Sequence, residues 1–187
     1  MTDVAKARAR LIEIVKERSF STGAEMKLAS GRTSNFYFNM KPSMLHPEGA
    51  HLIAALVLDA VKGANIDFIG GLEMGAVPLA ACVASASHAA GTPIAAFFVR
   101  KQAKEHGAKK LVEGLAPGVS LAAKRIVVIE DVTTTGGSAM KAIEALTAEG
   151  AVIDRVITIV DRQEGAAETF KAAGIRFQPL LTADAFK

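Results

Sequence analysis

The segment RIVVIEDVTTTGGSAMKAIEAL, residues Arg125–Leu146, decides how the rest of the chain is interpreted. It begins with the β-branched run Arg125–Ile129, which is typical of a strand with two buried faces. Two acids and a loop of threonines and glycines follow, and a helix is predicted over Ser138–Glu149. A strand, a short loop and a helix in this order indicate a sheet that is covered by helices.

The same alternation continues on both sides of this segment. Apolar runs predict further strands at Asp67–Gly71, Ile94–Val99 and Val152–Val160, and helical patterns lie at 47–62, Val77–Ala89 and Ala166–Ala173. We therefore expect an α/β fold with a mostly parallel central sheet flanked by helices. Because such sheets bind ligands beyond the carboxyl ends of their strands, function is expected in the loops that follow these strands.

The first part of the chain has a different pattern. Residues Asp3–Arg18 predict an amphipathic helix with Thr2 or Asp3 as its N-cap, and Asn35–Met40 alternates as a strand does. We interpret residues 1–45 as a small N-terminal hood subdomain laid against the main part of a single domain of 187 residues.

Composition excludes several classes of protein. The formal net charge is +3, which implies no strong attraction to nucleic acid or to an anionic membrane. Cys82 is the single cysteine, so neither an intramolecular disulfide nor a cysteine metal cage is expected. The first residues lack the apolar stretch of a signal peptide, and no apolar run has the roughly 20 residues of a spanning helix. We expect a cytoplasmic protein that binds neither nucleic acid nor membrane.

The loop after Ile129 predicts a site for a phosphorylated sugar. Glycines and small hydroxyl residues allow several backbone N–H groups to converge on one anion, and the following helix N-terminus favours negative charge. Glu130 and Asp131 would repel that phosphate, but they can accept hydrogen bonds from sugar hydroxyls and favour positive charge on a ribose ring. A Walker-type nucleotide loop is excluded here because no GK[ST] sequence follows.

The segment FVRKQAKEHGAKKLVEG, Phe98–Gly114, concentrates basic residues after another predicted strand. A solvated surface loop is the simplest interpretation of such a stretch. Cations that meet a departing polyphosphate would, however, lower the barrier to its release. Gly107 gives the freedom of a hinge, and closure of a mobile loop would exclude water.

The run VVIEDVTTTGGSA resembles the phosphoribosyl pyrophosphate signature of the type I phosphoribosyltransferases. The resemblance implies their fold, and it implies that Glu130 and Asp131 contact the ribose hydroxyls while Thr133–Ser138 hold the 5′-phosphate. It also implies Mg²⁺, held mainly by substrate and water oxygens with no dedicated protein ligand. The residues implied to bind phosphoribosyl pyrophosphate in this segment are Glu130, Asp131, Val132, Thr133, Thr134, Thr135, Gly136, Gly137 and Ser138.

The string RKQAKEHG resembles the flexible catalytic loop of the orotate phosphoribosyltransferases. By this resemblance, pyrophosphate is contacted by Arg100, Lys101, Lys104 and His106. Lys104, His106 and Asp131 are the expected catalytic residues. The resemblance further implies a homodimer in which the 100–114 loop reaches the neighbouring active site.

Two further segments are similar to elements of that family that contact orotate. DRQEG, Asp161–Gly165, supplies Arg162, and arginine matches a carboxylate with two parallel hydrogen bonds. LASGRTSNFYFNM resembles the segment that covers the base. The implied orotate contacts are Lys27, Phe36, Tyr37, Thr134 and Arg162. Met74 and Ala29 depart from the family, because many members carry lysine at these two positions.

The resemblance covers nearly the whole chain and predicts conversion of orotate and phosphoribosyl pyrophosphate to orotidine 5′-monophosphate and pyrophosphate. A purine phosphoribosyltransferase is the nearest alternative, and the RKQAKEHG and DRQE strings argue against it. A phosphoribosyl pyrophosphate-sensing regulator that binds nucleic acid is a second alternative, but no helix-turn-helix pattern is evident. A protein that only binds nucleotides would leave the basic loop unexplained.

Overall fold

The computed structural model of the chain describes residues 3–27, 33–102 and 111–187. The described strands are β1 (Phe20–Lys27), β2 (Thr33–Phe38), β3 (Phe68–Leu72), β4 (Ala95–Val99), β5 (Val112–Glu113), β6 (Arg125–Thr133), β7 (Val152–Asp161) and β8 (Arg176–Thr182). The described helices are α1 (Val4–Arg18), α2 (Lys41–Met44), α3 (Pro47–Ala60), α4 (Ala76–Ala89), α5 (Gly137–Ala148) and α6 (Ala166–Ala172), with a 3₁₀ turn at Ala183–Phe186.

Six strands form a central sheet in the order β5-β4-β3-β6-β7-β8, and β1 and β2 form a separate antiparallel hairpin. Within the central sheet β4, β3, β6, β7 and β8 are parallel to their neighbours, and only the short strand β5 runs antiparallel, at one edge. The predicted α/β fold with a mostly parallel sheet is confirmed. The carboxyl ends of β3, β6 and β7 consequently lie side by side along one end of the sheet. We call this end the carboxyl edge, and we call the opposite end, where the parallel strands begin, the amino edge.

Two hydrophobic clusters pack on the two faces of this sheet. Val127 and Val128 of β6 are both 0% exposed, and they belong to different clusters because successive side chains of a strand point to opposite faces. The first cluster contains apolar residues of α1, α3 and α4, and the second contains those of α5 together with Phe170 of α6. Burial on both faces explains why the strands are continuous apolar runs.

The N-terminal helix α1 shares the first of these clusters. Asp3, one of the two predicted caps, caps it by accepting hydrogen bonds from two backbone N–H groups. Leu11 and Ile14 of α1 are buried with residues of α3 and of the sheet. The division of residues 1–45 into a hood subdomain therefore remains an interpretation, because part of that segment packs within the main core.

Some predicted boundaries are wrong. β6 does not end at Ile129 but continues to Thr133, because it stays paired with β7 through Glu130↔Thr158 and Thr133↔Asp161. The two acids therefore lie within the last residues of the strand rather than after it. Strands β1, β5 and β8 were not predicted. None of the helices in the described ranges is long and apolar enough to cross a membrane.

Candidate active site

A cavity of about 400 Å³ opens at the carboxyl edge of the sheet, between the end of β2, the end of β6 and the start of α5. Its lining residues are Tyr37, Phe38, Asn39, Met40, Lys41, Glu130, Asp131, Val132, Thr133, Thr134, Thr135, Gly136, Gly137, Ser138, Ala139, Lys141 and Arg162. The structure thus brings together the predicted acids Glu130 and Asp131 and the predicted phosphate-binding loop Thr134–Ser138, which we call the cradle. Tyr37 from the hairpin and Arg162 after the end of β7 line the same cavity.

Glu130 and Asp131, the acid pair, both line this cavity. Glu130 is only 6% exposed, and one of its oxygens accepts a hydrogen bond from the Asp131 N–H at 3.2 Å. Its other oxygen, Oε2, has no hydrogen-bond partner among the described residues. Burial, and secondarily the adjacent Asp131 carboxylate, raises the pKa of Glu130 well above its ordinary value. A buried carboxyl oxygen without a donor suits a ligand that brings its own hydroxyl or cation.

The loop between β3 and α4 approaches the acid pair closely. A Cβ atom added to Gly75 would lie 2.7 Å from Oδ1 of Asp131, so only glycine allows the two to pack at this distance. Met74 beside it is 61% exposed and does not line the cavity. The loop between β3 and α4 therefore meets the acid pair through its backbone at this point.

The cradle is a loop that opens directly into α5. Gly136 has a φ of +84°, a left-handed conformation that glycine adopts without strain. No side chain within the described ranges caps the N-terminus of α5, so its first N–H groups can meet an anion. Thr134, Thr135 and Ser138 bring hydroxyl groups to the same wall of the cavity.

Thr133 and Val132 belong to the residues predicted to bind phosphoribosyl pyrophosphate, but each has a donor group that is hydrogen-bonded within the protein. Thr133 is 2% exposed, and its hydroxyl donates to Oδ1 of Asp161 at 3.1 Å. The N–H of Val132 donates to Asp131 at 2.9 Å, and its side chain packs against the hydrophobic core. The Thr133 bond holds the ends of β6 and β7 together, whereas the Val132 bond lies within β6.

Arg162 is a buried cation that also lines the cavity. It is 4% exposed, its Nε donates to Glu164 at 2.9 Å, and its Nη1 donates to the Phe36 carbonyl at 3.3 Å. Its guanidinium carbon lies 4.4 Å from the centre of the Phe36 ring. These contacts with Glu164 and Phe36 fix the orientation of the planar guanidinium at the wall of the cavity.

The aromatic residues predicted to cover the base divide into two roles. Tyr37 is 44% exposed and lines the cavity. Phe36 does not line it but packs between Arg162 and the rings of Phe20 and Phe38, at centroid distances of 6.3 and 5.9 Å. Phe36 therefore positions the arginine from behind.

The base of the basic loop is fixed next to the loop that follows β3. The N–H of Lys101 donates to Oε1 of Glu73 at 2.9 Å, and the N–H of Arg100 donates to the Leu111 carbonyl at 2.8 Å. The Arg100 guanidinium lies 3.8 Å from the carboxylate of Glu113. Arg100 and Lys101 do not line the cavity.

Three predicted site residues cannot be placed in this way. Lys104 and His106 lie outside the described residues, and the side chain of Lys27 is not described either. Their predicted contacts with pyrophosphate and orotate remain predictions.

The sequence analysis missed two lysines of the cavity, Lys41 and Lys141. Lys41 directly follows the predicted strand that ends at Met40, and Lys141 lies four residues after Gly137, one helical turn beyond the cradle. The helical spacing was a usable signal for Lys141. No group of three or more His, Cys, Asp or Glu residues that could hold a metal ion occurs in the part of the chain that the structure describes.

Comparison with known proteins gives consistent results. The phosphoribosyl transferase domain family matches residues 43–174. An orotate phosphoribosyltransferase of Bradyrhizobium sp. (strain BTAi1) is 61% identical over 180 residues, which are 96% of this chain and 97% of that protein.

Two crystal structures of the Mycobacterium tuberculosis orotate phosphoribosyltransferase are similar over 96% of this chain and 98% of theirs. The complex with Fe(III) dicitrate has a TM-score of 0.81 at 37% identity. The complex with 5-phospho-α-D-ribosyl 1-diphosphate has a TM-score of 0.78 at 34% identity. With the cradle, the acid pair and the buried arginine at one edge of a parallel sheet, this chain belongs to the phosphoribosyltransferase family and, within it, to the orotate phosphoribosyltransferases.

Proposed function

We propose that the protein, acting in the cytoplasm, uses Mg²⁺ to transfer the phosphoribosyl group of phosphoribosyl pyrophosphate to orotate in the synthesis of UMP. The observation that carries the proposal is that Glu130, Asp131, the cradle Thr134–Ser138 and Arg162 all line the same cavity. Acceptors for sugar hydroxyls, donors for a phosphate and a cation for a carboxylate are all required by these two substrates. The cytoplasmic location is part of this proposal, and the single cysteine agrees with it because the fold needs no intramolecular disulfide.

The cradle orients the sugar for a displacement at its anomeric carbon. The N–H groups at the start of α5 hold the 5′-phosphate, and Glu130 and Asp131 accept hydrogen bonds from the ribose hydroxyls. The two carboxylates favour the positive charge that develops on the ring as pyrophosphate departs. Orotate, held through its carboxylate by Arg162, attacks from the opposite face, so configuration inverts. Holding both reactants in this geometry removes much of the entropic cost of their encounter.

The residues around the acid pair fit Mg²⁺ bound mainly by substrate and water. Mg²⁺ prefers oxygen ligands and retains several waters. The unpartnered oxygen of Glu130 and the neighbouring Asp131 can receive those waters or the sugar hydroxyls. When bound, the ion would neutralise charge on the pyrophosphate.

The proposal is tested by following the loss of orotate absorbance with phosphoribosyl pyrophosphate and Mg²⁺, in parallel with adenine and hypoxanthine as acceptors. We expect turnover with orotate alone and its loss when the metal is chelated. Turnover with a purine but not with orotate would overturn the assignment of the base. A salt-dependent shift of nucleic acid in a gel, without orotate turnover, would favour a regulator.

Lys104 is the proposed cation for the departing pyrophosphate. Replacing Lys104 with Ala should lower kcat by about 10²-fold or more, since electrostatic groups that act on the transition state have effects of this size. The affinity for phosphoribosyl pyrophosphate should change far less. Steady-state kinetics separate the two, and unchanged turnover would contradict the role of the loop. Lys16, an exposed lysine on α1, provides the matched control substitution.

We also propose that the 100–114 loop completes the site of a second subunit in a homodimer. Chains carrying Lys104→Ala and chains carrying Asp131→Asn are each expected to be nearly inactive. If the loop acts across the dimer, mixed dimers contain one intact site, and a denatured and refolded mixture should regain about a quarter of wild-type turnover. A mixture as inactive as its parents would show that each chain supplies its own loop.

A further inference from the structure

We propose that Lys41 and Lys141 bind the phosphate monoester of the substrate from two sides of the cradle. This inference rests on the proposed function and extends it, because it assigns the recognition of the phosphate charge to two side chains in addition to the backbone. Both lysines line the same cavity as Thr134–Ser138, and they come from different elements, α2 and α5.

The position of Lys141 on α5 directs it toward the cradle. It lies four residues after Gly137, the first residue of the helix, and therefore on the same helical face. Long side chains on a helix extend back over the preceding turn, toward the N-terminus. The four-carbon stem of a lysine in the second turn thus carries its ammonium toward the N–H groups that open the helix.

Lys41 is exposed, but the backbone that carries it is fixed by buried neighbours. Met40 and Met44 are each 1% exposed, and Ser43 is 0% exposed. The hydroxyl of Ser43 lies 2.6 Å from that of Ser19, and the Ser43 N–H donates to the same Ser19 oxygen at 3.3 Å. Because α2 is already fixed, Lys41 can bind a ligand in the cavity without the entropic cost of ordering a loop.

The charges of the cavity indicate what the two lysines bind. Arg162 is already paired with Glu164, at 2.7 Å. Within residues 3–27, 33–102 and 111–187, neither Lys41 nor Lys141 makes an ion pair, although both lie in a cavity with two carboxylates. A phosphate monoester carries a charge of about −1.5 to −2 at neutral pH, which two ammonium groups match.

The test compares two ligands that differ only in the phosphate. Dissociation constants of orotidine 5′-monophosphate and of orotidine are measured by calorimetry for the wild type, Lys41→Gln, Lys141→Gln and the double variant. Lys41→Arg and Lys141→Arg keep the charge, and Lys16→Gln removes an exposed charge from α1. Thermal unfolding of each variant shows that it folds, and wild-type turnover of orotate is recorded with the same preparation.

We expect each Gln variant to bind orotidine 5′-monophosphate about tenfold more weakly, as hydrogen bonds to charged groups predict, and the double variant to bind it more weakly still. Binding of orotidine should be unchanged, the Arg variants should retain most of the affinity, and added salt should shrink the difference. If the folded Gln variants bind the nucleotide like the wild type, or lose orotidine equally, the inference is wrong even if the wild type turns over orotate. Absence of that turnover would instead contradict the proposed function.

Discussion

The amino and carboxyl edges of the central sheet differ in whether their buried acids have hydrogen-bond donors. At the amino edge, Asp154 accepts hydrogen bonds from both Arg125 and Arg155, and Arg155 also donates to Gln178 and to a carbonyl of α3. Asp67 likewise accepts from Lys124 and from the N–H of Arg125. At the carboxyl edge, Glu130 is as deeply buried as the side chains of Asp154 and Arg155, but its Oε2 has no donor among the described residues.

The difference teaches where stability and function lie in this sheet. Paired buried charges add little net energy, but breaking one pair is costly because the partner stays buried. An unpaired buried acid lowers the free energy of unfolding of the ligand-free protein. It is retained where a ligand supplies the missing hydrogen bond or cation. Substitutions at the amino edge should therefore change the free energy of unfolding, and substitutions at the carboxyl edge should change catalysis.

The largest effect is expected from Asp131→Asn at the carboxyl edge. The substitution keeps the shape of the side chain but removes the negative charge that stabilises positive charge on the ribose ring. We expect kcat/KM for phosphoribosyl pyrophosphate to fall about 10²- to 10³-fold. The free energy of unfolding in urea should stay the same or rise slightly, because repulsion with Glu130 is relieved. A large loss of stability with retained activity would contradict the assignment of catalysis, rather than stability, to the carboxyl edge.

Asp154→Ala provides the matching change at the amino edge. The side chain of Asp154 is 5% exposed and that of Arg155 is 9% exposed, so the substitution leaves a buried guanidinium with fewer acceptors. We expect the free energy of unfolding to fall by about 3 kcal/mol, with kcat nearly unchanged for the folded enzyme. Urea denaturation and orotate turnover below the unfolding midpoint measure the two effects. Lost activity in a fully folded variant would count against a purely structural role.

Glu130→Met sharpens the comparison through pH. The pKa of Glu130 is raised in the folded state, chiefly by burial, so the folded protein holds its proton more tightly than the unfolded chain does. The wild type should therefore lose stability as pH rises from the ordinary glutamate value toward that raised pKa. Methionine fills a similar volume without a charge and should abolish this loss, leaving the variant about 2 kcal/mol more stable above that window.

The amino-edge acid has the opposite pH dependence. Burial alone would raise the pKa of Asp154, but hydrogen bonds from Arg155 and Arg125 lower it below its ordinary value. Its contribution is present above the unfolded pKa and is lost as pH falls through the folded one. Denaturation curves of Glu130→Met and Asp154→Ala over pH should thus diverge from the wild type in opposite directions. Parallel curves would remove the distinction between the edges.

The smallest effect is expected from Glu73→Ala, which removes the acceptor for the Lys101 N–H at the base of the basic loop. This bond is solvent-exposed, so we expect kcat/KM for phosphoribosyl pyrophosphate to fall only about threefold. Glu73→Gln keeps a side-chain oxygen in place and serves as the control. Equal kinetics for the Ala variant, the Gln variant and the wild type would show that the contact does not position the loop.

The strands of the sheet interior could be predicted because their sequences depend mainly on burial. β6 and β7 are rich in β-branched residues, and only their carboxyl ends were misplaced, because polar residues there remain paired across the two strands. β8 contains Pro179 and several half-buried residues, as expected of an edge strand, and was missed. β1 has a polar, glycine-containing sequence that carries no strand signal by itself.

The cavity was predictable where chemistry and strand ends coincide. Glu130, Asp131 and Arg162 follow or end β-branched runs, and the rule for parallel sheets places such positions together. Lys41 and the contact of Glu73 with Lys101 depend on how distant segments meet, which no local pattern specifies. The stacking of Arg162 on Phe36 joins residues more than a hundred positions apart and was equally invisible.

The aromatic packing behind Arg162 has a consequence for how the enzyme is made. Phe20 and Phe38 of the hairpin lie 5.5 and 5.0 Å, centroid to centroid, from Phe186 of the final 3₁₀ turn. During synthesis on the ribosome, the hairpin emerges long before that ring does. The aromatic packing behind Arg162 therefore cannot be completed until Phe186 has left the exit tunnel, well after the cradle segment has been synthesised.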